Sequence, residues 1–98
     1  MGVCESEFYA VQPSAARSAS AFLALYSQGD PSASYAVVQM FLLEVMARGW
    51  DQVDAWLMFV SALGHVSCLS VNDAAAADGC TAVDVFRRLS LEFADGAR

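Results

Sequence analysis

The feature that most constrains this chain is the stretch AWLMFVSALGHVSCLSV, residues 55–71, which contains no formally charged side chain. A membrane-spanning helix needs about 20 consecutive, predominantly apolar residues. This run is shorter and is interrupted by serine, glycine and histidine. Acidic residues lie at both ends, Asp51 and Asp54 before the run and Asp73 after it, without the Lys/Arg flanks that orient a span. We therefore expect a helix that is buried in protein.

As a helix, this segment is apolar nearly all round. One face carries Val53, Trp56, Leu57, Val60, Leu63 and Gly64, and the other carries Met58, Phe59, Ala62, Val66 and Leu69. The preceding segment, SASYAVVQMFLLEVMAR, has the same property. Such helices are expected to be buried on more than one side. The two segments therefore predict a central apolar hairpin, with the first and last helices packed on one side and a second copy or a partner on the other.

Residues that typically begin or end helices predict the first two helices. Pro13 suits a first helical turn, and small and apolar residues recur from there to Gln28 at steps of three and four. Asp30 can cap the second helix with Pro31 at its first position, and Gly49 ends it.

Two further helices follow. Asp51 offers a cap for the third helix, which is expected to fray near Val71, and Thr81 with Asp84 resembles a capping box that starts the last helix. The fold class is therefore all-α, a small bundle of about four helices in a single domain over residues 1–98. Residues 1–12 could be extended or disordered.

Composition limits the classes of function. The net charge is −6, from eleven acidic residues against five arginines, so the chain lacks the basic surface that binds nucleic acid. A partner protein with a basic surface fits better. Hydrophobic residues make up 57% of the chain, more than a small domain can bury, which favours a subunit interface, a partner groove or a lipid phase.

The cysteines and the N-terminus bear on location. Cys4, Cys68 and Cys80 are an odd number without a CxxC pair, which indicates a reducing, cytoplasmic setting. The N-terminal residues lack the pattern of a secretory signal. MGVCES fits an N-myristoylation pattern at Gly2, but Glu5 and Glu7 would be repelled by anionic lipid, so we expect no membrane partner.

Residues that could carry chemistry form no complete set. His65, Cys68 and Cys80 supply three of the four ligands that zinc prefers, at no standard spacing, so we expect no structural metal and no cofactor. His65 could activate Ser61 or Cys68, but nothing marks an orienting third group or an oxyanion site. We expect no enzymatic activity.

Charged and aromatic residues in the helices have structural explanations. Glu44 is expected to pair with Arg48, Asp84 with Arg87 or Arg88, and Glu92 with Arg88, because these residues lie three or four positions apart. Trp50 and Trp56 are expected to be packing anchors.

The order of the segments, with GDPSA between the first two helices and VFRRLSLEFA in the last, resembles uncharacterised small helical proteins of GC-rich actinobacteria and their phages. The resemblance covers roughly residues 14–95 and implies no activity.

Taken together, these features predict a small acidic helical module for protein interaction or regulation. We expect it to be a homodimer whose interface includes Met40, Leu43, Met58 and Phe59. One alternative is a helix-lined pocket for a small apolar ligand, built from the Met, Phe and Trp side chains. Another is a peripheral membrane protein with an N-terminal lipid anchor.

Overall fold

The computed structural model describes residues 4–96, except for the side chains of residues 93 and 95. This part of the chain forms four helices and no strand, which confirms the all-α class. The helices are α1 (Glu5–Ser27), α2 (Pro31–Ala47), α3 (Gln52–Asp78) and α4 (Ala82–Gly96). They fall into two compact units, one ending at Val66 and the other beginning at Ser67. The assignment of residues 1–98 to a single domain stays a prediction.

Helix α1 begins eight residues earlier than the sequence predicted, at Glu5 instead of Pro13. The expectation of an extended or disordered segment is therefore wrong for residues 5–12, and residues 1–3 lie outside the described part. The extra turns are helical because they make tertiary contacts: Val11 is buried in the core, and Glu7 pairs with a side chain at the end of α2. These contacts offset the backbone hydrogen bond that Pro13 cannot donate inside the helix.

The predicted N-terminal caps are confirmed. The Asp30 carboxylate accepts from the Ala33 N–H at 3.1 Å, with Pro31 at the first position of α2. Asp51 accepts from the Asp54 N–H at 2.8 Å at the start of α3. Each cap satisfies a backbone donor that the helix itself leaves unpaired.

Helix α2 ends at the glycine that the sequence indicated. Gly49 has a positive φ of 99°, a conformation in which a Cβ is unfavourable. The Gly49 N–H donates to the Met46 carbonyl, and the Trp50 N–H donates to the Val45 carbonyl. This is the hydrogen-bond pattern of a Schellman motif, and it turns the chain sharply into α3.

The core of the first unit lies between α1, α2 and the first half of α3. Phe59 of α3 packs against Phe22 of α1 and Phe41 of α2, with both ring-centroid distances at 5.8 Å. Helix α1 also contributes two small residues to this core, Ala15 and Ala19, which are completely buried.

Ser34 is the buried polar side chain of this core and is completely inaccessible to solvent. Its hydroxyl donates to the Pro31 carbonyl at 2.8 Å, so the buried group is satisfied within its own helix. Its small size allows α1 and α2 to approach each other.

Helix α3 runs on past the predicted end near Val71 to Asp78. Residues 72–78, which follow that predicted end, are rich in alanine, the residue with the highest helix propensity, and they continue the helix. In the second unit Ala75 is buried, and the predicted capping box is confirmed. The Thr81 N–H donates to Asp84 at 3.2 Å, and the Asp84 N–H donates to the Thr81 hydroxyl at 3.3 Å.

Removing the Phe59 side chain should destabilise the first unit strongly. Phe59 is 3% exposed and contacts rings from two other helices, so Phe59→Ala should lower the free energy of unfolding by about 3–5 kcal/mol. Leu69→Ala is the matched control, because Leu69 lies on the same helix and is 54% exposed. Its cost should stay within about 0.5 kcal/mol. Urea denaturation followed by circular dichroism measures both, and equal losses would contradict the assignment of Phe59 to the core.

Candidate interaction surface

Large apolar side chains cover the solvent-facing sides of α2 and α3 in the first unit. We call this surface the α2–α3 apolar face; its members are Met40, Leu43, Met46, Val53, Trp56, Leu57 and Val60. The most exposed are Met40 at 71%, Leu43 at 68% and Val53 at 67%. None of these side chains carries a charge. Single exposed apolar residues are ordinary on protein surfaces, whereas a group of this size on two neighbouring helices is a candidate interaction site.

The face contains a shallow groove between α2 and the start of α3. Its volume is about 370 Å³, and Leu43 and Met46 form its apolar wall. Gln39 and Gln52 lie at the edges and offer amide groups to a binding partner. The groove therefore combines flexible apolar side chains with uncharged polar groups at its rim, which is the anatomy of a protein interface.

The predicted interface residues divide between the face and the core. Met40 and Leu43 are exposed on the face, as predicted. Met58 and Phe59 are each 3% exposed and belong to the core of the first unit, so their assignment to the outer side of α3 was wrong. Helix α3 turns the Met58 and Phe59 side toward α1 and α2, and the opposite side faces solvent.

The residues that sequence reasoning missed are the outward members on α3, namely Val53, Trp56, Leu57 and Val60. A signal for the correct orientation was present in the alanines. Ala55 and Ala62 lie on the buried side of α3, where small residues allow close approach to the small residues of α1. Because α3 is apolar on both sides, hydrophobicity alone does not indicate which side is buried and which is exposed.

An ion pair between Glu7 and Arg48 joins the start of α1 to the end of α2. The Arg48 guanidinium donates two hydrogen bonds to the Glu7 carboxylate, one of them 3.0 Å long, and the Trp50 indole N–H donates to the same carboxylate at 3.3 Å. The expected Glu44–Arg48 pair is therefore corrected: Arg48 reaches across to α1, and Glu44 accepts from the Ser14 hydroxyl at 3.4 Å.

These contacts change the proton affinities of both partners. The hydrogen bonds from Arg48 hold the pKa of the Glu7 carboxyl below its ordinary value, with a smaller contribution from the Trp50 N–H. The same contact raises the pKa of Arg48. Trp50 is buried, as expected of a packing anchor, while Trp56 is 41% exposed and packs edge-on against Phe59 at 6.5 Å.

The residues considered for metal binding or nucleophilic chemistry are not members of the α2–α3 apolar face. His65 and Ser61 are exposed and line a groove between α1 and α3. Cys68 is exposed and Cys80 is half-buried, and both are free thiols. Among the side chains that the structure describes, no group of three His, Cys, Asp or Glu residues is placed to hold a metal ion.

Cys4 lies at the position before α1 and is exposed. A hydrogen bond between its thiol and the Ser6 hydroxyl, 3.4 Å apart, lowers the pKa of Cys4. Gly2, the residue that the lipidation hypothesis concerns, lies outside the described residues.

The double arginine of α4 is exposed at both positions. The pKa of Asp84 is lowered first by its hydrogen bonds from Thr81, with a smaller contribution from the charge of Arg88. The Asp84 carboxylate is thus engaged mainly in capping the helix.

Helix α3 is, within the described part, long and apolar enough to cross a membrane by length and composition alone. The core helix of a soluble protein passes the same test. Only 22% of the most apolar 18 residues of α3 are buried within the chain, so most of these residues are accessible to solvent.

Comparison with known proteins gives no family for this chain. A scan against models of protein families, a search of curated proteins and a search of solved structures found no match. The similarity to small helical proteins of actinobacteria and phages stays a prediction.

Neutralising Glu7 should destabilise the chain at neutral pH but not in acid. A carboxyl whose pKa is lowered by folding stabilises the folded state above its ordinary pKa, and this contribution is lost as the pH falls through the lowered value. The melting temperature of Glu7→Gln should therefore lie below that of the wild type at about pH 7 and should approach it at about pH 3.

Glu5→Gln is the matched control, because it removes the same charge from the same helical turn at an exposed position. Thermal denaturation followed by circular dichroism measures all three proteins. A Glu7→Gln deficit that is equal at both pH values, or a Glu5→Gln deficit of the same size, would contradict the role given to the Glu7–Arg48 pair.

Proposed function

We propose that this chain is a non-catalytic protein-interaction module that acts as a homodimer, with a second copy covering the α2–α3 apolar face. The observation that carries the proposal is the exposure of seven large, uncharged apolar side chains on two neighbouring helices. Burial of apolar surface is the dominant favourable term in protein association. A face of this composition gains free energy when another protein covers it.

A second copy suits this face because its seven apolar members are all uncharged. Two-fold related subunits place each residue of a patch against the same patch of the partner. A charged patch would then oppose its own charge, whereas Met40, Leu43 and Leu57 can pack against their symmetry mates without that cost. Trp56 and the methionines belong to the residue types enriched in interfaces.

Polar residues favour a protein partner over lipid. Asp51 and Asp54 lie at the start of α3, and Ser61, Gly64 and His65 interrupt its exposed surface. Acidic groups at both ends of a helix are unfavourable beside anionic lipid, and polar side chains are costly in hydrocarbon. A partner protein can donate hydrogen bonds to the Asp51 and Asp54 carboxylates where the interface meets solvent.

The acidic surface outside the face suggests a further partner. The chain has a net charge of −6, and charge complementarity steers association with a basic protein. The dimer would present this acidic surface twice. Cytoplasmic location, as inferred from the free thiols, belongs to the same proposal.

A charge placed on the face should break the dimer. The wild type at about 100 μM should have the mass of two chains by light scattering coupled to gel filtration, and Leu57→Glu should have the mass of one. Leu57 is 58% exposed, so the substitution leaves the core intact. Ser20→Glu is the control: it adds the same charge at an exposed position of α1 and should remain dimeric.

Three results would overturn the proposal. They are a monomeric wild type at this concentration, a dimeric Leu57→Glu protein, and binding of the wild type to neutral phosphatidylcholine vesicles in flotation.

The salt dependence of dimer formation offers an independent readout. Because each copy is acidic, added salt should screen the repulsion between copies and strengthen the dimer.

A further inference from the structure

A second concave site lies in the first unit, between α1 and α3 and separate from the α2–α3 apolar face. Its volume is about 160 Å³. The lining residues are Phe8, Gln12, Ala16, Met58, Ser61, Ala62 and His65. We propose that this groove binds a small hydroxylated aromatic molecule, of the phenol class.

The groove is built from two helical rows that face each other. On α1, Phe8, Gln12 and Ala16 are spaced four residues apart and so lie along one side of the helix. On α3, Ser61 and His65 are also four apart. Facing rows hold a flat ligand between them without any change in the backbone.

The floor of the groove suits an aromatic ring. Met58 is 3% exposed and so is fixed by the core beneath it, and its thioether can make the favourable contact of sulfur with a ring. Ala16 and Ala62 leave space where larger side chains would fill the groove. A cavity of about 150 Å³ lined by apolar residues is enough to hold benzene.

The rim supplies hydrogen bonds. Gln12, Ser61 and His65 each carry both donor and acceptor capacity in their uncharged forms. All three side chains are exposed, so their polar groups are available to a ligand. None of the described residues that line the groove carries a carboxylate, although the chain is strongly acidic. A neutral hydroxyl on a ring is the group that these three side chains can all recognise.

The test is an amide-resolved NMR titration of the full chain with phenol and with benzene. Phenol should give saturable shifts confined to residues near 8–16 and 58–65, with a Kd on the order of 1 mM, as expected for a small ligand in a partly open site. Benzene should bind about five-fold more weakly, because it makes no hydrogen bond.

Two substitutions of alanine by leucine in α1 make a matched pair. Ala16→Leu fills the groove and should weaken phenol binding at least about ten-fold, since the ring loses its space. Ala21→Leu makes the same change at an exposed position of the same helix and should bind as the wild type does. Ser61→Ala should weaken phenol binding and leave benzene binding unchanged.

Equal binding of phenol and benzene by the wild type would overturn the ligand class without any variant. Shifts that do not saturate, or unchanged binding by Ala16→Leu, would overturn the site. Because the groove lies on α1 and α3 and the proposed dimer uses α2 and the opposite side of α3, either proposal can fail without affecting the other.

Discussion

The packing of Phe59 between Phe22 and Phe41 determines which side of α3 faces solvent. Helix α3 is apolar on both sides, so burial of one side necessarily exposes the other. With Met58 and Phe59 in the core, Leu57 and Val60 must point outward. The position of α3 about its own axis is therefore the constraint that produces the candidate interaction surface, and it also places Met58 at the floor of the groove beside α1.

Local signals in the sequence predicted the helix ends well. Asp30, Asp51 and Thr81 were expected to cap α2, α3 and α4, and each does so through hydrogen bonds to the backbone or to its capping partner. Gly49 was expected to end α2 and does so in the left-handed region. These features depend on neighbours within a few residues, so the sequence contains all the information that they need.

Features that depend on tertiary contacts were predicted poorly. The start of α1 was placed at Pro13 because the stabilising partners of residues 5–12 lie some forty positions away, at Arg48 and Trp50. The interface prediction was right about the exposure of Met40 and Leu43 and wrong about the two residues on α3. Both errors have one cause. The local sequence pattern reveals neither the long-range contact of Glu7 with Arg48 nor which of the two apolar sides of α3 is buried.

The position of Pro13 within α1 has a consequence for motion. Proline cannot donate a hydrogen bond to the Tyr9 carbonyl, so the helical ladder is interrupted between the first turns and the remainder of the helix. Residues before the interruption are held by Val11 and by the carboxylate of Glu7. Segments joined by fewer backbone hydrogen bonds open at lower free energy than the rest of a domain. Phe8 and Gln12 belong to that segment, so part of one wall of the small groove can separate from the other at the cost of exposing Val11, while Ala15 and Ala19 stay buried.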